Sequence, residues 1–163
     1  MERLEKINND FATLFREGQR LLQEGCGDVM NRHREEAFQR FEALGGIPYK
    51  TEDYLYADTL PVFDYRVVLK YIKQEVEVGE IFKCHVPNLD TNLILTINGW
   101  FVQENVVPEI PEGVVICSMA EASVKYKELF ERHYNQYTKP ADADGLVARH
   151  LPKTGYSCMF RIG

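Results

Sequence analysis

The chain has 163 residues, of which 45% are hydrophobic and 27% charged. This composition excludes wholesale disorder and collagen-like or low-complexity architectures, and the length suggests one domain or one domain with a small second module. The formal net charge is −6, and no run rich in lysine and arginine occurs, which argues against nucleic-acid or membrane partners. No apolar run is long enough for a transmembrane helix, and the polar amino terminus lacks the apolar region of a secretory signal. We therefore expect a cytoplasmic protein.

The sequence predicts an N-terminal helical region over residues 1–57. Its first helix has an apolar face at the spacing of helical turns, made of Ile7, Phe11, Leu14, Gly18, Leu21 and Leu22. Asn8 and Asn9 are candidates to cap the start of this helix. Gly25 and Gly27 are candidates to end it.

A second helix is predicted after a capping Asp28. Its apolar stripe consists of Met30, Ala37, Phe38, Phe41 and Leu44. Gly45 and Gly46 should end it, because glycine enters the left-handed C-cap conformation at low cost. Each stripe needs burial, so we expect the two helices to pack as a hairpin.

Residues 58–148 are predicted to form a small mixed α/β region, which makes the fold class α+β. The clearest strand signal runs over residues 92–97, and the Asn98–Gly99 pair that comes next predicts a β-hairpin over residues 92–102. A buried strand is predicted over residues 113–117. Ser118 and Glu121 form a capping-box pattern at the start of a helix that should run to about Tyr134. Its candidate core residues are Ala122, Val124, Tyr126, Leu129 and Phe130.

The candidates for chemistry are few. Cys84 and His85, joined by Cys117, could supply zinc ligands, but neighbours on a strand point to opposite faces, and buried cysteines that pack as small apolar residues are the preferred interpretation. Cys117 and His133 could form a nucleophilic pair, but no orienting third group or oxyanion loop is recognisable. The four cysteines form no CxxC pattern, so we expect free thiols. Phosphate-binding glycine loops are absent. We predict no catalytic, cofactor-binding or metal-ligating residue and no cofactor.

Several segments share their pattern with a known family. The helical motif R-x-x-A-x-x-x-F-x-x-L-G is met by residues 34–45. Pro48, Glu52, Tyr54 and Tyr56 continue the pattern, with Tyr54 in place of the usual tryptophan and Ala57 in place of the usual threonine. Residues 95–101, 111–122 and 144–148 come next in order. Over about residues 30–148 the chain resembles the N-terminal region of the SufB/SufD family of the SUF iron–sulfur cluster assembly machinery, and within that family the SufD subunits.

The resemblance implies a non-catalytic scaffold subunit whose partners are SufB-like subunits and the SufC-like ATPase. In the family, a long β-helix and a helical domain lie beyond this region and carry most of the partner contacts. The family β-helix is absent from the predicted fold, and the resemblance assigns no functional residue to this chain. Two alternatives stay open. One is a generic protein-interaction module that exposes the tyrosines of residues 54–56, for which the preferred interpretation is that they cover the end of the helical hairpin. The other is a small cysteine-dependent enzyme or metal-binding protein.

Residues 149–163 do not resemble the family's continuation. One choice of codons for residues 150–163 reads, in a shifted frame, as FAKDGIFMYVPDR, which is similar to the start of the family β-helix. We therefore interpret residues 149–163 as a non-family tail produced by a reading-frame change. Such a tail should be loosely held without a long regular element, and the uncovered domain face favours self-association.

Overall fold

The computed structural model describes residues 2–48, 52–54, 56, 95–97, 100–102, 111–137, 139–150 and 158–161. The helices are α1 (Glu2–Gln23), α2 (Asp28–Ala43), α3 (Met119–Lys125), α4 (Lys127–His133) and α5 (Gly145–His150), with 3₁₀ turns at Glu52–Tyr54 and Pro140–Asp142. The strands are β1 (Leu95–Ile97), β2 (Trp100–Val102), β3 (Val114–Cys117) and β4 (Cys158–Arg161). This arrangement confirms the α+β class, with a helical pair followed by a small α/β unit. Within these residues, none of the helices combines the length and apolar character of a membrane span.

Helices α1 and α2 pack against each other through four phenylalanines. Phe15 of α1 stacks on Phe38 of α2 with ring centroids 4.2 Å apart. Phe11 meets Phe41 edge-on at 4.8 Å. All four rings are buried, and each contributes roughly 1.5–3 kcal/mol through burial. The predicted helical hairpin is confirmed, with Phe15 as a core residue that was not included in the predicted apolar face.

Both helix starts differ from the prediction. Helix α1 begins at Glu2, so Asn8 lies inside the helix instead of capping it. Helix α2 has Gly27 as its N-cap, and Asp28 is its first helical residue. The Gly27 N–H donates to the Ser123 hydroxyl at 2.7 Å, which ties the start of α2 to α3. A side chain at position 27 would bring its Cβ within 2.6 Å of the Ser123 carbonyl oxygen, so glycine permits this close approach.

The predicted glycine stop of α2 is confirmed. Gly45 has φ +71° and Gly46 has φ +88°. The Gly46 N–H donates to the Phe41 carbonyl at 2.9 Å, and the Gly45 N–H to the Glu42 carbonyl at 3.0 Å. This pair of bonds is a Schellman motif, which satisfies carbonyls that the helix end leaves open. Leu44 at the C-cap is 41% exposed and is not a core residue, contrary to the prediction.

A second cluster of buried side chains joins α2 to the α/β unit. Its members are Met30, Cys117, Ala122, Phe130 and Tyr134. The helix predicted to run continuously to Tyr134 is instead interrupted at Tyr126, whose φ of −120° and ψ of 44° lie outside the helical range. The Ser123 hydroxyl, one turn earlier, donates to the Ala120 carbonyl at 2.6 Å, a local bond that competes with regular helix geometry.

The capping box predicted at the N-terminus of α3 forms in part: the bond of the serine hydroxyl is present, and the glutamate carboxylate has a different partner. The Ser118 hydroxyl accepts from the Glu121 N–H at 3.1 Å. The Glu121 carboxylate instead accepts from Lys125 Nζ at 2.6 Å, and this bond raises the pKa of Lys125. Val124, predicted to be a core residue, is 57% exposed. Helix α3 buries Ala122, and a residue two positions later points to nearly the opposite side of a helix.

Strands β1 and β2 form an antiparallel hairpin in which Ile97 pairs with Trp100. This register leaves two residues for the loop, which confirms the hairpin predicted from the Asn98–Gly99 pair. Those two residues, and the predicted strand positions 92–94, lie outside the described residues. Trp100 packs against the phenylalanine core of α1 and α2, so the hairpin is attached to the helical pair.

Strand β3 is confirmed, and its partner is β4 from the tail. The antiparallel register opposes Val114 to Arg161 and Cys117 to Cys158. The sequence predicts a loosely held tail without a long regular element; these four tail residues are paired, though the strand is short. Strand pairing uses the backbone N–H and C=O groups that every residue except proline carries, so it does not require a sequence selected for this contact.

Candidate functional site

The structure describes two of the residues considered for metal or nucleophile chemistry, Cys117 and His133. Cys84 and His85 lie outside the described residues. Cys117 ends β3 and is 3% exposed among apolar side chains, an environment in which cysteine packs as a small hydrophobic residue. His133 is exposed in the last turn of α4. In the part of the chain that the structure describes, no group of three or more histidine, cysteine or acidic residues could hold a metal ion.

Arg34, the first residue of the helical motif, is buried with 2% exposure and anchors the end of α1. Its Nη1 donates to the Leu22 carbonyl oxygen at 2.5 Å, to Cys26 Sγ at 3.1 Å and to Asn31 Oδ1 at 3.2 Å. Leu22 lies in the last turn of α1, where carbonyls lack partners within the helix and a positive charge is favourable. The motif arginine therefore has a structural role.

Asn8 holds the loop that comes after α2. Its side-chain oxygen accepts from the Ile47 N–H at 3.0 Å. Its amide nitrogen donates to the Gly45 carbonyl at 3.2 Å and to the Ile47 carbonyl at 3.4 Å. One side chain of α1 therefore satisfies three backbone groups of the loop after the α2 stop.

Two glycines let the same loop approach its neighbours closely. A Cβ at position 46 would overlap the Asn8 side chain, and a Cβ at position 145 would overlap the Gly46 carbonyl oxygen. Asn8 thus packs directly on Gly46, and Gly46 packs directly on Gly145 at the start of α5, with no space at either contact for another carbon atom. The glycines are required here by the close approach, and at Gly46 by its positive φ as well.

Tyr54 joins the connector to the start of α5. Its hydroxyl donates to Asp144 Oδ2 at 2.9 Å. Asp144 Oδ1 accepts from the Val147 N–H at 2.8 Å and so caps α5. Arg40 Nε of α2 donates to the Ala143 carbonyl at 3.1 Å. We call this set of contacts, centred on Asn8, Arg40, Gly46, Tyr54 and Asp144, the motif junction.

A groove of about 590 Å³ lies between α2 and residues 131–136 and 139–141. His33 stands in its wall, edge-on to Tyr134 with ring centroids 5.5 Å apart and with Nδ1 3.6 Å from a carboxylate oxygen of Glu36. Glu131 and Lys139 add charges of opposite sign. The groove is open and of mixed charge, which suits polar contacts with another molecule more than a reaction that must exclude water.

Sequence reasoning missed the motif junction and the groove. For Asn8 a signal was present, because Leu4, Asn8, Phe11 and Phe15 lie along one helix face, and a polar residue within an apolar stripe requires a buried partner. The link between Tyr54 and Asp144 had no such signal, since the two residues lie far apart in the chain.

The comparisons with known proteins identify the family of this chain. The family model described as the SufBD protein N-terminal region matches residues 5–150. No curated protein and no solved structure matches the chain significantly. The match spans both the helical hairpin and the α/β unit, and it includes every residue of the motif junction. By this match the chain belongs to the SufB/SufD family of the SUF iron–sulfur cluster assembly system.

Proposed function

We propose that this chain acts as the N-terminal part of a SufD-type subunit, as a non-catalytic scaffold in the cytoplasm. The observation that carries the proposal is the use of the motif residues. Arg34, Gly45, Tyr54 and Asp144 all hold the chain's own helices and loops together. Because these motif residues make contacts within the chain, they keep the domain in one shape, which supports a scaffold that presents a fixed surface to its partners.

The motif junction supports the scaffold role in a second way. It holds the start of α5 to α2 and to the 3₁₀ turn at Glu52–Tyr54 through hydrogen bonds of Ala143 and Asp144. Through Gly46, which lies between Asn8 and Gly145, it also links α5 to α1. In the family, the β-helix comes after this region of the chain. A rigid link at α5 would hold the N-terminal domain at a set position relative to such a β-helix, which a scaffold requires and an independent module does not.

The partners we propose are a SufB-like and a SufC-like subunit of the same assembly. The test is co-expression of the full chain with each tagged subunit, followed by affinity purification. We expect the SufB-like subunit to retain the chain above a tag-only control, and a SufD-like subunit used as the bait to retain less. Equal retention by the SufB-like and SufD-like baits would overturn the SufD assignment. Retention by none of the SufB-like, SufC-like and SufD-like baits would overturn the proposed partnership.

One observation favours the broader alternative of a generic interaction module. Tyr56 is fully exposed beside the motif junction, and Tyr137 is also fully exposed beside the groove. If the tyrosine connector is the contact surface, Tyr56→Ser will reduce retention of the partner while the matched variant Tyr137→Ser will not. Binding to proteins outside the SUF system that is lost with Tyr56→Ser would favour the alternative over the scaffold proposal.

A further inference from the structure

The register of β3 and β4 places two cysteines opposite each other. Cys117 is the last residue of β3, Cys158 is the first residue of β4, and the two are directly paired. Directly paired positions of an antiparallel ladder have Cα atoms roughly 4.5–5.5 Å apart, and a disulfide accepts Cα separations of about 4.4–6.8 Å. A disulfide between Cys117 and Cys158 can therefore form in the observed register of the two strands.

We propose that Cys117 and Cys158 form a thiol pair that a low-molecular-weight disulfide of the glutathione type converts to an intrachain disulfide. Cys117 is present as a thiol in the structure. The product would fasten β4 covalently to β3 and close the whole segment from α3 to the tail into a loop. This modification is independent of the proposed scaffold function.

The reaction proceeds by two thiol–disulfide exchanges. The Cys158 thiolate attacks one sulfur of glutathione disulfide, forms a mixed disulfide and releases one glutathione thiolate. The Cys117 thiolate then attacks the Cys158 sulfur, forms the bond between the two cysteines and releases the second glutathione. Each cysteine gives up one proton, and one glutathione disulfide is reduced to two glutathione thiols. Cys117 acts second because its 3% exposure restricts attack by a molecule from solution.

Cys26 provides the internal comparison. Its Sγ accepts from Arg34 Nη1 at 3.1 Å and donates to the Leu22 carbonyl at 3.3 Å, at the turn between α1 and α2. Cys26 is therefore part of the hydrogen-bonded contact by which Arg34 holds the end of α1. We therefore expect Cys26 to keep its thiol under conditions that oxidise the Cys117–Cys158 pair.

The test is incubation of the full chain with glutathione disulfide, followed by intact mass measurement and non-reducing peptide mapping. We expect a mass loss of two hydrogen atoms and a linked peptide that contains Cys117 and Cys158. Thiol labelling should fall from four sites to two, with Cys26 and Cys84 still labelled. Cys26→Ser should leave the bond intact, and Cys158→Ser should abolish it.

A register control separates strand pairing from simple proximity. The double variant Cys158→Ser with Met159→Cys moves the tail thiol by one residue, opposite Ile116, and neighbouring positions of a strand project to opposite faces. We expect at least a tenfold lower yield of linkage to Cys117 in this variant. Equal linkage in the shifted variant, linkage of Cys117 to Cys26 or Cys84, or accumulation of glutathione adducts without a linked peptide would each overturn the proposal.

Discussion

Replacing Asn8 with alanine removes the side chain that joins α1 to the loop after α2. The Ile47 N–H loses its acceptor at 3.0 Å, and the carbonyls of Gly45 and Ile47 lose a donor. Ile47 is itself 2% exposed and belongs to the phenylalanine core, so the change affects a loop whose side chain is packed. We expect the protein to become less stable.

The size of the effect depends on the burial of each lost bond. A fully buried donor left without a partner costs about 1–3 kcal/mol. The bond to the Ile47 N–H is partly buried, so its loss falls toward the lower part of that range, whereas the carbonyl of Gly45 lies at an exposed bond and can accept from water. Alanine also returns up to about 0.7 kcal/mol, because it is the better helix former. The expected net loss is therefore about 1–2 kcal/mol in the free energy of unfolding, or a fall in Tm of roughly 2–8 °C for a chain of this size.

Asn9→Ala is the matched control. It makes the same substitution one residue later in α1, at a position that is exposed. We expect Asn9→Ala to be neutral or slightly stabilising through helix propensity alone. Both variants would be measured by urea unfolding monitored by far-ultraviolet circular dichroism. Equal stability of the Asn8 and Asn9 variants would refute the reasoning, because the contacts of Asn8 would then contribute nothing.

Three further predictions concern the hairpin, metal content and the tail. Gly99→Val should lower the free energy of unfolding by about 1–3 kcal/mol, since a two-residue turn forces a β-branched residue to positive φ; an unchanged urea midpoint would contradict this. Protein purified with and without oxygen should hold less than one equivalent of zinc or iron by elemental analysis. One tightly bound equivalent that disappears with Cys84→Ser would show that prediction to be wrong. Sequencing the encoding DNA around codon 149 should reveal a second frame that continues as a SufD-like β-helix, and its absence would establish the tail as native.

The parts of the fold that were predictable depend on neighbours in the sequence. The α2 stop is encoded by two adjacent glycines, and the β1–β2 turn by an Asn–Gly pair, so local backbone preference decides both. The wrong start of α1 has a physical reason as well. Asparagine is a good N-cap and also a good buried link between backbone groups, and only tertiary packing decides which role Asn8 takes.

The motif junction depends on contacts that no local pattern encodes. Tyr54 and Asp144 are 90 positions apart, and Arg40 and Ala143 are 103 positions apart. The resemblance to the family groups these residues into one protein region but does not say which of them touch. The interruption at Tyr126 was likewise hidden, because the apolar residues on either side of it continue a helical pattern.

The pairing of β3 with β4 has a consequence for the order in which the chain folds. Helices α1 and α2 are neighbours in sequence and can associate as soon as both have been synthesised, whereas β3 waits for a partner near the end of the chain. At ~5–20 residues per second, a ribosome needs about 2–8 s to add the roughly 40 residues that separate the two strands. During that interval the β3 edge that β4 later covers is open to other extended segments, in the same chain or in a chaperone. We therefore expect the helical pair to be protected early in synthesis and the β3–β4 ladder to be the last part of the described fold to close.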